Sequence, residues 1–293
     1  MSVLASTGHL APADDEGVRW FHMTPAERLG VLMVLPYIIL FLVFVLYPVG
    51  YGLWLARHPE SYVKLTHDPV FVRTVVNTLI FLGVGITVKM IIALFLSDFF
   101  VQDRWWIRIL AVIFILPWAV PSITTILSIR FMLNPEWGII NHAIFALTGD
   151  DGPNWLNNPT LALALAMVVH VWKSLPFWTL ILVAARLAIP SDLYEAADVD
   201  GATTLQKFRF VTWPSLRTLW LTCLILSTLW SLGDFNSVYL LTGGGPADLT
   251  HVLATLGLRY LRLDQVDMSV AAVVCAMPLV IPLIFFMMKR LSK

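Results

Sequence analysis

The stretch Leu161–Leu219 reads LALALAMVVHVWKSLPFWTLILVAARLAIPSDLYEAADVDGATTLQKFRFVTWPSLRTL. Its character changes twice. Leu161–Leu187 is apolar for longer than the roughly 20 residues a helix needs to cross a bilayer. The segment from Ile189 to Leu219 is polar enough to leave it. At its end, from Thr218, a new apolar run begins. Two crossings joined by a polar elbow are the signature of a multi-pass helical membrane protein, because a helix satisfies every backbone group internally where no water is present.

The same pattern extends in both directions. Leu29–Leu55, Thr74–Ser97 and Ile107–Met132 precede the quoted stretch, and Thr218–Leu240 and Met268–Met288 follow. The expected fold is therefore all-α, with six transmembrane helices. No alternation of strand length suggests a barrel. Composition agrees: 58% of residues are hydrophobic and 13% charged, against about 25% charged in soluble domains. The expected organisation is an N-terminal segment over 1–28, a first transmembrane helix over 29–56 and a five-helix core over 72–289. The first 28 residues hold the acidic run Asp14, Asp15, Glu16 and no apolar stretch. That is not a cleavable signal, so the first span is expected to direct insertion. Zero net charge gives no bulk attraction to nucleic acid.

Six spans place both termini on one side, and Lys and Arg choose the side. Cytoplasmic termini put Arg19, Arg28, Arg104, Arg108, Arg186, Lys207, Arg209, Arg217, Lys289, Arg290 and Lys293 inside. Arg57, Lys64, Arg73, Arg259 and Arg262 then lie outside. The excess favours cytoplasmic termini, and the loop Leu133–Pro159, on the outer side, has neither residue type. Trp54, Trp105, Trp106, Trp137, Trp155 and Trp220 stand near span ends, as interfacial anchors do. Cys223 and Cys275 sit in apolar runs and read as packing residues.

In the elbow, Pro190 stops the preceding helix. Asp192 is expected to cap a new one, with Glu195 at capping-box spacing. Gly201 suits the left-handed turn that ends it. Thr203 and Gln206 form a second box, and Pro214 is expected to close a second short helix before span five. Leu193, Ala196, Ala197 and Val199 need cover, from lipid headgroups or from a groove on a soluble partner.

These residues resemble a family. Glu195-Ala196-Ala197, Asp200-Gly201-Ala202, Phe208, Val211 and Pro214 are similar to the EAA signature of permease subunits of binding-protein-dependent type I ABC importers. Trp213 stands where Leu is usual, and Thr218 where Pro is frequent. The resemblance runs from about Asn77-Thr78 to the C-terminus. It includes Leu116-Pro117-Trp118-Ala119-Val120-Pro121, Gly138, Asn141, Trp172, Pro176-Phe177, and Leu241-Thr242-Gly243-Gly244-Gly245-Pro246 with Thr250. Those motifs look like the carbohydrate branch (maltose, trehalose, glycerol phosphate).

The resemblance implies a cytoplasmic coupling helix between helices 4 and 5. Glu195, Ala196, Ala197, Asp200, Gly201, Ala202, Phe208 and Pro214 would dock on an ATP-binding subunit. It implies a bacterial inner-membrane complex with a second permease chain, two ATP-binding subunits, an extracytoplasmic solute-binding protein and a sugar substrate. ATP and Mg would bind in the partner ATPases, with no cofactor and no catalytic residue in this chain. The Gly-rich run lacks the Gly-Lys-Ser/Thr of a phosphate loop.

Ionisable and aromatic groups at membrane depth are pathway candidates: Trp118, Trp172, Lys173, Trp230, Asp234, Asn236 and Tyr239. Aromatic faces stack on sugar CH groups while carboxylates and amides bond hydroxyls. Trp230 and Asp234, four apart, would share a helical face. Lys89 has no evident assignment between an internal pair and the interface, and Arg130 reads as snorkelling. An ion-coupled secondary transporter would use Lys89, Lys173 and Asp234 but gives the elbow no purpose. A membrane enzyme would need partners for His170 that the spacing does not supply.

Overall fold

The computed structural model describes residues 24–291, and among them every regular element is helical. The acidic run Asp14–Glu16, Arg19 and Lys293 lie outside the described residues. The chain forms two compact units, Met1–Trp54 and Leu55–Lys293.

The first unit is dominated by α1, Pro25–Leu55. Thr24 opens it with a reciprocal capping box to Glu27, so two otherwise orphaned N–H groups are satisfied.

The second unit carries α2 (Pro59–His67), α3 (Pro69–Phe100), α4 (Trp105–Ala119), α5 (Ser122–Met132), α6 (Ile139–Thr148) and α7 (Pro159–Leu187). These are followed by α8 (Ser191–Val199), α9 (Thr204–Leu232), α10 (Asn236–Thr242), α11 (Leu253–Arg262), α12 (Val266–Val274) and α13 (Met277–Leu291). α7 is the central post, packed against α3, α4, α9 and α10. One core cluster joins Phe81, Ile126, Val169, Val238 and Leu241. A second joins Met90, Trp178, Leu182, Leu216 and Cys223. A third, around Leu65, Leu256 and Tyr260, ties α2 to α11 and α12.

Among the described residues, four helices are long and apolar enough to span a membrane: α1, α3, α7 and α9. The other expected spans are interrupted. Ile107–Met132 is two helices, α4 and α5, bent by 92°. Val120 precedes Pro121, which drives it to extended geometry (φ −74°, ψ 140°) and ends the helix. Thr218–Leu240 is likewise broken. α9 stops at Leu232, and α10 starts afresh at Asn236 after Gly233. Met268–Met288 is parted at Cys275–Ala276.

The elbow differs from its sequence reading in two places. α8 starts at Ser191 directly after Pro190, so Asp192 stands in its first turn and caps nothing. Pro214 does not close a short helix. The helix from Thr204 widens over Phe208–Thr212, where the Trp213 N–H reaches back five residues to the Phe208 carbonyl, and continues to Leu232. Widening is how a helix accommodates the missing N–H and bulky ring of proline.

Candidate functional site

A cavity of about 570 Å³ opens where the breaks of α4–α5 and α9–α10 meet α7. Trp118, Lys173, Trp230, Asp234 and Asn236 line it, together with Lys89, His170, Ser122, Ser231 and Ser237. The structure thus gathers five of the seven pathway candidates. Trp172 and Tyr239 are not in its wall. Trp172 is exposed on α7, and Tyr239 stacks on Phe235 and accepts from Arg262.

One wall is aromatic. Trp118 stacks on Phe177 at 5.7 Å. Phe177 and Trp178 both pack on Trp230, at 5.1 and 5.5 Å. Trp178 is sealed, whereas Trp230 is 59% exposed and Trp118 about half exposed. Flat faces accessible from the cavity suit a ligand with CH surface.

The other wall is a buried polar chain. The His170 Nδ1 lies 2.5 Å from Asp234 Oδ2, and its Nε2 is 2.8 Å from Ser231 Oγ and 3.2 Å from Lys89 Nζ. An ammonium can only donate. The arrangement is therefore satisfied by a neutral imidazole with its proton on Nδ1, donated to Asp234, while Nε2 accepts from Lys89. Lys89, 1% exposed, also donates to Ser231 Oγ at 3.3 Å. One ammonium and one carboxylate are bridged by one ring, so the chain is neutral as a whole. Burial of a charge without such a partner would be prohibitive.

Asp234 is more committed than its sequence position implies. Its Oδ1 accepts the Ser237 N–H at 3.2 Å, so the carboxylate both caps the start of α10 and orients His170. Trp230 and Asp234 do not share a helical face, because α9 ends at Leu232 between them. The cavity unites them instead. His170 and Lys89 went unassigned in the sequence because their partners lie 64 and 81 residues away. The ionisable-at-depth rule pointed at Lys89 without naming what it meets.

Lys173 donates to the carbonyls of Pro117 (2.8 Å) and Val120 (2.6 Å). Arg130 donates to the Leu240 carbonyl at 3.4 Å, tying α5 to α10.

After a three-residue break from α7, α8 presents its surface outward. Glu195, Ala196 and Asp200 are exposed, and Glu195 has no partner among the described residues. Val199 is 89% exposed, and Leu193, Leu205 and Phe210 are exposed too. Gly201 takes φ +70°, the left-handed turn. Thr203 and Gln206 form the expected box. Tyr194 Oη bonds Thr212 Oγ1 at 2.9 Å, and Lys207 pairs with Asp198. α8 is therefore stitched to the first turns of α9. Phe208 and Pro214 sit in that joint, with Phe208 packed 6.5 Å from Trp213. Arg186, nearly buried at the end of α7, pairs with Asp98 of α3 at 2.5 Å.

At the opposite end of α9 and α10, the Gly-rich run makes a stapled loop. Gly244 has φ +91°, and a Cβ there would lie 2.1 Å from His251 Nε2. The Asn77 amide donates to the carbonyls of Leu249 and His251, and Thr250 Oγ1 donates to Gly245 O at 2.6 Å. Arg259 bonds Asp248 at 2.8 Å. Burial alone would raise the Asp248 carboxyl; the Arg259 hydrogen bond and charge outweigh it and hold it below its ordinary value. Burial pushes the His251 imidazole down, against the pull of Asp248. Burial and the adjoining Asp68 carboxylate push the Tyr260 phenol up. Trp155 donates to Asn141 Oδ1 at 2.7 Å and Trp220 to the Met90 carbonyl at 3.2 Å, so both brace the interior.

The chain resembles proteins of known kind. It is 32% identical over 267 residues to the trehalose/maltose transport system permease protein MalF of Thermococcus litoralis, covering 87% of this chain and 90% of that one. It is 30% identical over 260 residues to the sulfoquinovosyl glycerol transport system permease protein SmoG of Agrobacterium fabrum, covering 80% of each. Its fold matches a chain of a bacterial alginate ABC transporter with a TM-score of 0.79 at 24% identity, over 89% of this chain and 93% of that one. Residues 85–293 match the family described as binding-protein-dependent transport system inner membrane component, and with the cavity, the broken spans and the exposed elbow all falling within or abutting that region, the chain belongs to this family.

Proposed function

We propose that this chain is the membrane-spanning permease subunit of an ATP-driven sugar importer and forms half of the translocation path. The carrying observation is one continuous piece of structure. α9 runs from the exposed elbow to the cavity, so a force applied at α8 is delivered beside Trp230 and Asp234. The domain reading follows: 29–56 as a first crossing and 72–289 as the permease core, with six crossings, α4–α5 and α12–α13 each counting as one. Both termini face the cytoplasm.

Sugar follows from two supports. The relatives named above carry trehalose and maltose or a sulfoquinovosyl glycerol, and the related alginate transporter was solved with a pentasaccharide-bound periplasmic protein. The cavity joins aromatic faces to donors and acceptors, the chemistry a sugar needs. Trp118 and Trp230 stack on the ring. Asn236, Ser122 and the outward lone pairs of Asp234 bond hydroxyls. The chain itself hydrolyses nothing. ATP and Mg bind in two partner subunits gripping Glu195, Ala196, Ala197, Asp200, Gly201 and Ala202, and a binding protein delivers solute from outside to a pore shared with a second, distinct permease. Alternation between outward and inward access is a rigid-body motion of these helices.

The test is purification of the complex with its neighbouring subunits, then ATPase measurement with and without binding protein loaded with trehalose or maltose. Stimulation supports the reading; hydrolysis indifferent to every sugar and to the binding protein removes it. The Lys89–His170–Asp234 chain favours a second reading, an ion-coupled transporter. Solute uptake driven by a proton gradient alone, with no ATP, would establish that one instead.

A further inference from the structure

The bend between α4 and α5 leaves backbone acceptors that the helix cannot satisfy. The Pro117 carbonyl would ordinarily receive the N–H of residue 121, but residue 121 is proline and has none. The Val120 carbonyl lies at the bend itself, where Val120 is extended and α4 has ended. Both carbonyls are found by one group from another helix. Lys173 of α7 donates to Pro117 O at 2.8 Å and to Val120 O at 2.6 Å. The end of α4 carries the negative pole of the helix dipole, so an ammonium is favoured there over a neutral donor.

Trp118 stands between these two carbonyls and Ser122 just beyond them, and both line the cavity with Lys173. The ammonium is therefore fastened to the backbone on either side of an aromatic wall residue. Resting on the reading of the cavity as the solute path, we propose that Lys173 is a positioning residue that clamps the α4–α5 bend, so that Trp118 and Ser122 are held against the cavity. Unlike the Lys89 chain, this clamp involves no carboxylate and no imidazole. Lys173 keeps a third N–H beyond the two it spends on the backbone. Bound solute can engage it without releasing the clamp.

The test uses the assembled complex in lipid nanodiscs. The background carries Cys223→Ser and Cys275→Ser, the reporter is Ser122→Cys, and the rate of labelling by a water-soluble maleimide is measured. The reporter thiol reads the wall on the far side of the bend and needs no knowledge of the solute. With Lys173 present, it labels at a measurable rate. Lys173→Met keeps the length and loses the donor, and is expected to change that rate about tenfold, as loss of both hydrogen bonds from a charged donor to the bend allows. Lys173→Arg, which can donate to both carbonyls, keeps the rate within about twofold. An unchanged rate in Lys173→Met, with ready labelling, overturns the clamp and leaves the cavity reading standing. No labelling in any background overturns both, because the wall is then not solvent-lined.

If Lys173→Met fails to assemble, Pro121→Ala is added, which returns an N–H to the Pro117 carbonyl. Restored assembly with an altered labelling rate supports the clamp. Restored assembly with the original rate, or no restoration, overturns it.

Discussion

At the scale of single residues, the buried chain Lys89–His170–Asp234 makes the sharpest prediction. Asp234→Asn preserves shape and removes the carboxylate that faces Lys89 through the ring. It should destabilise the folded chain by about 3 kcal/mol, the order expected when one partner of a buried pair is removed. Lys89→Met in the same background should recover at least half of that loss. Thermal unfolding in detergent measures both, and a double variant no better than Asp234→Asn alone would show that the charges are not coupled. Transport by Asp234→Asn with normal assembly would remove the residue from the solute path. The sequence made Asp234 and Lys173 visible as ionisable groups inside apolar runs. It could not reveal His170 as the link from Asp234 to Lys89, nor the duty of Lys173, since both depend on contacts more than fifty residues apart.

At the scale of elements, the elbow and the stapled loop carry predictions of different kinds. Gly201 adopts φ +70° with open space around its missing Cβ, so Gly201→Ala costs only the left-handed conformation, about 1 kcal/mol. Gly201→Pro cannot adopt that angle at all. It should leave membrane insertion intact and abolish sugar-stimulated ATP hydrolysis; undiminished stimulation would refute the coupling role.

The loop over 243–252 should loosen in acid, in two stages. His251 is depressed below its ordinary value of 6.5, with Asp248, Arg259 and Arg262 around it. The unfolded loop therefore binds a proton more readily than the folded one, and stability falls as pH drops below that value. Asp248 is depressed below 3.8, so its contribution is whole above that pH and is lost as pH falls further. Amide-exchange protection across 243–252, taken relative to the intrinsic base-catalysed rate at each pH, should fall first below about pH 6.5 and again in the carboxylate range. A flat profile from neutrality downward would contradict this. Helix existence and the Thr203–Gln206 box were legible because apolar runs and caps are local signals. The breaks are not legible in the same way: Pro121 and Gly233 stand in the sequence, but apolar composition runs straight through both, and hydropathy does not register a bend.

At the scale of the whole molecule, the family assignment and the proposed complex predict that this chain alone moves nothing. Reconstituted without partners in sealed vesicles, it should show no trehalose or maltose uptake under a proton or sodium gradient. Uptake under those conditions would overturn the importer reading. The multi-pass helical character was legible from composition, because membrane thickness dictates span length. The cavity was not, because it forms where interrupted helices meet.

The stitching of α8 to α9 has a mechanical corollary. The Tyr194–Thr212 hydrogen bond and the Asp198–Lys207 pair join the elbow to the helix that follows it, while Pro190 breaks the helix before. A push from a nucleotide-driven engine would thus travel up one 29-residue rod, some 43 Å long at about 1.5 Å per residue, as through a crank with a stiff arm. Slackening that crank with Tyr194→Phe should make the engine slip: fuel consumption continues while the amount of cargo delivered per nucleotide falls.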